Sequence, residues 1–362
     1  MSAGDVDVTT RGDVDKLKGN AVGLYSILFL CVTGSAPLAV FIYNTPFTMP
    51  YGSGSNGPST FFFATIVLTI FSIAYAEMAK KVRAAGGMYT YVSHGLGQSW
   101  GLMAGYSLMI GYAIFGVALL GGFSSFAQGK LLQYGWHVNW LWIALIGVAL
   151  VVCLAYFDVE ISARVLGVAL ISEIVIIAIS SIFFFVHAHD VAIGPILPWN
   201  GLNSGVAPGV AVFFAFWSWV GFEMAPNYGE ESKDPKRIVP RAMYISVVGL
   251  GIFYILTSWA PFAGYANVGA AIAQAQSDPA HYYLGPASTY IGLGVDQALS
   301  ILIITGSFAC GMAFHNTAAR YFFSLGRERV LPAALGRTHA RYKSPHIASV
   351  TQSVIAAVIV IV

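Results

Sequence analysis

The sequence predicts an all-α polytopic membrane protein, and three observations carry that prediction. Of 362 residues, 57% are hydrophobic and only 9% are charged, where a soluble domain has about 25% charged residues. Apolar stretches of about 20 residues, the length that crosses a bilayer core, recur along the whole chain. With the N-terminus placed in the cytoplasm, all of the 18 Lys and Arg residues except Lys130 fall on the inner side. That asymmetry obeys the positive-inside rule. It also supports the span count, because a missed span scrambles the alternation. A multi-pass protein of the cell membrane is expected, with the lipid bilayer as its surroundings. The basic loops need no nucleic-acid partner.

The elements follow in order. Asp5, Asp7, Asp13 and Asp15 precede the first apolar run, and no short apolar region ends in a cleavage site. Residues 1–20 therefore read as a disordered cytoplasmic tail, not a signal peptide. Residues 21–362 read as one membrane domain. Spans are expected near residues 22–43, 58–79, 99–126, 139–157, 165–187, 208–228, 242–262 and 297–319, with a ninth starting at Ile347. Residues 347–362 make ~24 Å of helix at ~1.5 Å per residue, short of a ~30 Å core. The natural chain is expected to continue past Val362. The exterior connection 263–296 has no Lys or Arg and is expected to pack over the outer face. Cys31, Cys153 and Cys310 fall inside spans without motif spacing, so neither a disulfide framework nor a zinc site is expected. No cofactor motif occurs.

Two spans are interrupted. Span 1 is broken by Thr33-Gly34-Ser35-Ala36-Pro37, and span 6 around Ser218-Trp219-Val220-Gly221. In hydrocarbon an unwound stretch survives only where it lines a cavity or a ligand. Paired breaks in two halves of a chain point to a transporter binding site. Breaking span 1 at Gly34, Ser35 and Ala36 frees N–H groups at the start of its outer half, a natural place for a carboxylate. Trp217 and Trp219 flank the span-6 break at mid-span, away from an interfacial belt. Glu173 lies in span 5 and Glu223 just past Gly221; a charge at mid-bilayer costs ~3 kcal/mol on insertion scales, so both are candidate functional groups. Glu77, beside Lys80 and Lys81, reads as a solvated span end.

Other patterns carry less. Gly97-Gln98-Ser99-Trp100-Gly101 fits a nucleophile elbow, but it lies at the mouth of span 3 rather than after a strand. His187-Ala188-His189-Asp190 reads as a solvated cap at a span end. His315 reads as a packed residue. No paired nucleophile and base suggests an enzyme, and no ring of like charge suggests a channel.

The run Gly221-Phe222-Glu223, then Glu230-Glu231-Ser232-Lys233-Asp234-Pro235-Lys236-Arg237-Ile238-Val239-Pro240-Arg241-Ala242, resembles the amino acid–polyamine–organocation (APC) superfamily. Gly34-Ser35-Ala36 resembles that family's Gly-Ser-Gly break, with Ala36 in place of the second Gly. Gly86-Gly87-Met88-Tyr89-Thr90-Tyr91-Val92 resembles its loop after span 2, with Arg83 where Pro is common. Asn316-Thr317-Ala318-Ala319-Arg320 and Leu325-Gly326-Arg327-Glu328 resemble its span-8 end. The resemblance implies an inverted five-helix-repeat transporter fold with discontinuous spans 1 and 6. It implies a permease that moves amino acids or related amines by alternating access, with spans 1, 2, 6 and 7 rocking against the rest. The Ser35 and Ala36 amides would hold a substrate carboxylate. Carbonyls near Trp217, Val220 and Val32 would hold its ammonium, and Trp217 would stack on the substrate or gate it. Ser162-Ala163-Arg164-Val165 resembles the start of span 5 in proton-coupled members, where a lysine stands at the position of Glu173 between spans 1, 5 and 8. A glutamate matching Glu223 senses protons in an antiporter of the family. Protons are thus the expected coupling partner, through Glu173 first and Glu223 second. Substrate/product antiport, a permease-like sensor that does not transport, or a defective fragment are the alternatives.

Overall fold

The computed structural model describes residues 16–82, 85–157, 159–187 and 193–362. Arg83 and the His189-Asp190 pair lie outside the described residues, as does most of the expected tail; of its last residues, Leu17 is buried. Three of the spans start on a residue that favours a helix start. Span 2 (Gly57–Lys81), the first half of span 6 (Pro208–Trp217) and span 7 (Pro235–Ala263) each carry Pro in the first turn, where its missing N–H and fixed φ cost nothing. Span 2 ends on Lys80 and Lys81, which favour the negative end of the helix dipole.

Spans 3 (Gln98–Gln133), 4 (Trp140–Phe157), 5 (Val159–Val186), 8 (Leu293–Arg327) and 9 (His346–Ile361) are continuous helices. By length and hydropathy Leu24–Lys81, Gln98–Gln133, Pro208–Tyr228, Pro235–Ala263 and Gly294–Arg327 can cross a membrane, and shorter apolar helices supply the rest. Among the described residues there is no β-sheet, only a single bridge between Val22 and Ser232. Span 8 lies along span 3, and span 7 along span 2. Span 1 sits between spans 5, 7 and 8 and the second half of span 6, so its break is at the centre of the bundle.

The connection 263–296 folds as two helices, Val268–Ser277 and His281–Tyr290. Both tyrosines of its Tyr282-Tyr283 pair are fully buried. Tyr283 donates to the Ile177 carbonyl of span 5 at 3.2 Å, and the Tyr282 ring stacks on Tyr265. The connection thus packs onto the bundle, as expected.

At the opposite, basic end the sequence motifs find one another. Arg320 of span 8 donates to one Glu231 carboxylate oxygen at 2.6 and 2.8 Å, and to the Asn316 carbonyl at 2.9 Å. Its guanidinium lies 4.1 Å from the Tyr228 ring centre. Arg327 forks onto Glu230 at 2.6 and 3.0 Å, and the Ala85 N–H donates to the same carboxylate at 3.0 Å. The Glu231 carbonyl accepts from the N–H groups of Ala21 and Val22 at 2.8 and 3.0 Å. Tyr89 hydrogen-bonds Glu328. Two adjacent glutamates therefore tie the approach to span 1, the loop after span 2 and span 8 to one short loop.

Candidate functional site

The first half of span 1, Leu24–Gly34, ends at the break, and Pro37–Ala39 starts the second half. Between them Ala36 adopts the left-handed region, φ +40° and ψ +70°. That conformation suits Gly and strains a residue with a Cβ. The second half then runs through loosened turns, Val40–Asn44 and Met49–Ser53, separated by Thr45–Thr48. Span 6 breaks after Trp217; Gly221 has φ +123°, and a tight 3₁₀ segment, Phe222–Tyr228, follows.

The two breaks touch backbone to backbone. A Cβ built on Gly221 would lie 2.6 Å from the Gly34 carbonyl carbon and 2.8 Å from the Ser35 nitrogen. One on Gly34 would lie 3.2 Å from the Gly221 Cα. Only glycine at position 221 permits this approach, and a side chain at position 34 would crowd it. Neighbouring spans hold the exposed carbonyls. Tyr254 of span 7 donates to the Ser35 carbonyl at 3.1 Å, and the Cys310 thiol of span 8 donates to the Gly34 carbonyl at 3.1 Å. The Ser35 hydroxyl reaches the Trp219 carbonyl at 3.4 Å, and Asn44 donates to the Ser218 hydroxyl at 3.0 Å.

The structure brings Val32, Gly34, Ser35, Ala36 and Gly221 together and separates the tryptophans. Trp219 is 0% exposed. Its indole N–H donates to the Val247 carbonyl at 3.2 Å, and its ring packs on Tyr254 and Phe61. Its side chain packs against spans 2 and 7, and its carbonyl faces the Ser35 hydroxyl of span 1. Trp217 is 39% exposed and packs on Phe115 of span 3 and Phe213. Phe115 in turn packs on Phe314 of span 8. The Val220 N–H bonds the Trp217 carbonyl at 3.1 Å, which leaves that oxygen a second lone pair.

The amides at the break are bonded back to the first half-helix. The Ser35 N–H donates to the Cys31 and Val32 carbonyls at 3.2 and 3.1 Å, and the Ala36 N–H to Thr33 at 3.0 Å. A carboxylate that takes these amides competes with those bonds. The Thr33 hydroxyl, in contrast, is buried with no hydrogen-bond partner among the described residues.

Both carboxyls stand beside the breaks. Glu223 accepts from the Tyr112 hydroxyl of span 3 at 2.5 Å and from the Gly221 N–H at 2.8 Å. Tyr75 of span 2 donates to its carbonyl at 3.0 Å. Glu173 is 3% exposed and meets the Leu38 N–H at the start of the second half of span 1. Glu77 pairs with Lys80 on the surface. His315 meets the Ser349 hydroxyl at 3.0 Å, a contact between spans 8 and 9.

Sequence reasoning missed Tyr112, Tyr254 and Asn44, and gave Cys310 no role at the breaks. Each is an ordinary residue in an apolar run, and only the packing of distant spans aims it at a break.

Comparison with known proteins agrees with this architecture. The family model described as amino acid permease matches residues 23–362. The branched-chain amino acid permease BcaP of Bacillus subtilis is 23% identical over 95% of this chain and 75% of its own length. The low-affinity putrescine importer PlaP of Escherichia coli K12 is 23% identical over 80% of this chain. This chain covers 63% of that relative's length. A solved structure of a Na⁺-coupled sialic acid symporter in a substrate-bound, outward-open state superposes with a TM-score of 0.62 at 11% identity, over 95% of this chain and 75% of that one. The likeness to that structure shows a shared transporter fold, and with the family model matched from residue 23 to residue 362, the chain belongs to the amino acid permease family.

Proposed function

We propose that this protein is a secondary active permease of the cell membrane, N-terminus in the cytoplasm, that moves an amino acid or a related amine by proton-coupled alternating access. The observation that carries the reading is the direct contact of the two helix breaks at the centre of the bundle, with a carboxyl on either side. The Ser35 and Ala36 amides receive the substrate carboxylate when they release the first half-helix. The carbonyls of Val32, Trp217 and Val220, all at or beside the breaks, receive its ammonium. Trp217, with Phe115 and Phe213, covers the site. Trp219 contributes its carbonyl and holds span 6 against span 7. The names of the relatives, a branched-chain amino acid permease and a putrescine importer, support the substrate class without choosing between its two ends.

Glu173 is the proton site. It is buried between the second half of span 1 and span 8, so water must enter before its charge can change. Glu223 keeps the span-6 break in shape through Gly221 and Tyr112. The glutamates Glu230 and Glu231 close the cytoplasmic end by holding Arg327 and Arg320.

Thermal unfolding of the purified full-length protein against the amino acids and aliphatic diamines tests the substrate class. A ligand that binds only the folded state stabilises it by ~2.7 kcal/mol at a hundredfold excess over Kd. The reading fails if none of these compounds raises the melting temperature. Uptake against pH in proteoliposomes tests coupling. Glu173→Gln is expected to abolish the pH dependence and Glu223→Gln to retain it. Wild-type pH dependence in Glu173→Gln removes Glu173 from the mechanism.

A further inference from the structure

Glu173 meets span 8 at Gly306. A Cβ built on Gly306 would fall on the Glu173 carboxyl, closer than non-bonded atoms can approach, with Oε1 the nearest atom. Gly306 lies one turn before Cys310, whose thiol donates to the Gly34 carbonyl. One face of span 8 thus meets both sides of the span-1 break. It gives a thiol to the carbonyl end of the first half-helix and an empty side-chain position to the carboxyl that meets the second half at Leu38. Leu299 and Ile303, earlier on the same face, are buried. The other titratable groups facing the carboxyl are Tyr254 of span 7 and Cys310 itself. Among the described residues no cation faces the carboxyl.

A glycine in a helix interior is less favourable than alanine, and nothing in the backbone of span 8 requires it here, since Gly306 has no positive φ. Its use is therefore spatial. We infer that Gly306 is the positioning residue for Glu173: its missing side chain is the slot that seats the carboxyl between span 8 and the second half of span 1. Any side chain there pushes the carboxyl off the Leu38 amide or pushes span 8 away from span 1. The charge on Glu173 is then read directly as a change in the fit between these two spans. This rests on the proposed proton role of Glu173, but the fit itself does not.

The test is a double-mutant cycle on the full-length protein in detergent, with melting temperature measured from about pH 5 to pH 9. In the wild type a pH-dependent step in melting temperature is expected, and Glu173→Ala removes it. Gly306→Ala lowers the melting temperature and moves the midpoint of that step by about one pH unit or more. In the Glu173→Ala background, Gly306→Ala costs little, because the atoms it strikes are gone; coupling of this kind is what such a cycle isolates. Glu173→Asp, one methylene shorter, restores the midpoint when combined with Gly306→Ala. Equal losses from Gly306→Ala in the wild-type and Glu173→Ala backgrounds overturn the inference, as does an unmoved midpoint. If Gly306→Ala alone does not fold, recovery of folded protein in the double variant with Glu173→Ala supports the slot, and no recovery rejects it. A step that persists in Glu173→Ala removes the proton role of Glu173, while the cycle still decides the positioning role of Gly306.

Discussion

Gly221→Ala is the substitution on which the paired-break reading depends most. Gly221 has φ +123°, a conformation that a residue with a Cβ adopts only under strain of ~1–3 kcal/mol. The added methyl would sit 2.6 Å from the Gly34 carbonyl carbon and 2.8 Å from the Ser35 nitrogen, both backbone atoms that cannot swing aside. Overpacking of a tight site costs a further ~1–3 kcal/mol. The two effects together give a loss of about 2–6 kcal/mol. Gly209→Ala is the control. It lies in the first half of the same span with nothing within 4 Å of its added methyl, and a helical Gly→Ala change gains about 0.5–1 kcal/mol. Thermal unfolding of the two purified variants in detergent is the assay. Gly221→Ala is expected to melt well below wild type and Gly209→Ala at or above it. If Gly221→Ala melts with the wild type, the breaks are not in contact, and the proposed site loses its geometry.

The remaining predictions concern its surroundings. Arg320→Ala removes two charge-assisted hydrogen bonds from the buried Glu231 carboxylate and is expected to cost ~1.5–3 kcal/mol; a loss below about 1 kcal/mol would show that the pair is solvated. Ala36→Gly relieves a left-handed alanine and is expected to raise stability by about 1 kcal/mol; a lower melting temperature means that the break does not hold φ +40°. Trp217→Ala is expected to weaken ligand binding much more than Trp142→Ala, since Trp142 is 64% exposed on span 4; equal small effects remove Trp217 from the site. Trp219→Phe gives up the bond to the Val247 carbonyl and is expected to cost about 1 kcal/mol of stability, with ligand affinity unchanged; an affinity loss with unchanged stability would place its ring at the ligand instead.

Much of this molecule was legible in its sequence. Span positions follow from local windows of side chains, because each segment of ~20 residues partitions into the bilayer largely on its own composition. The breaks were legible for a similar reason: Gly34-Ser35-Ala36-Pro37 and the Ser218–Gly221 stretch interrupt helices by local chemistry. What the sequence left open depends on which face of one helix meets which face of another. Two tryptophans two residues apart looked alike, yet Trp219 is buried against Tyr254 and Phe61 while Trp217 turns toward Phe115. Glu230, Glu231, Arg320 and Arg327 stood out as motif residues, but nothing local says that they pair across roughly ninety positions of chain. The amides of Ser35 and Ala36 were expected free and are bonded to the first half-helix. That difference arises because a broken helix satisfies its own ends wherever the turn geometry allows. Tyr112 on Glu223 and the slot of Gly306 for Glu173 are contacts between spans far apart in the chain. Hydropathy says how deep such residues lie, but only the packed bundle decides what they face.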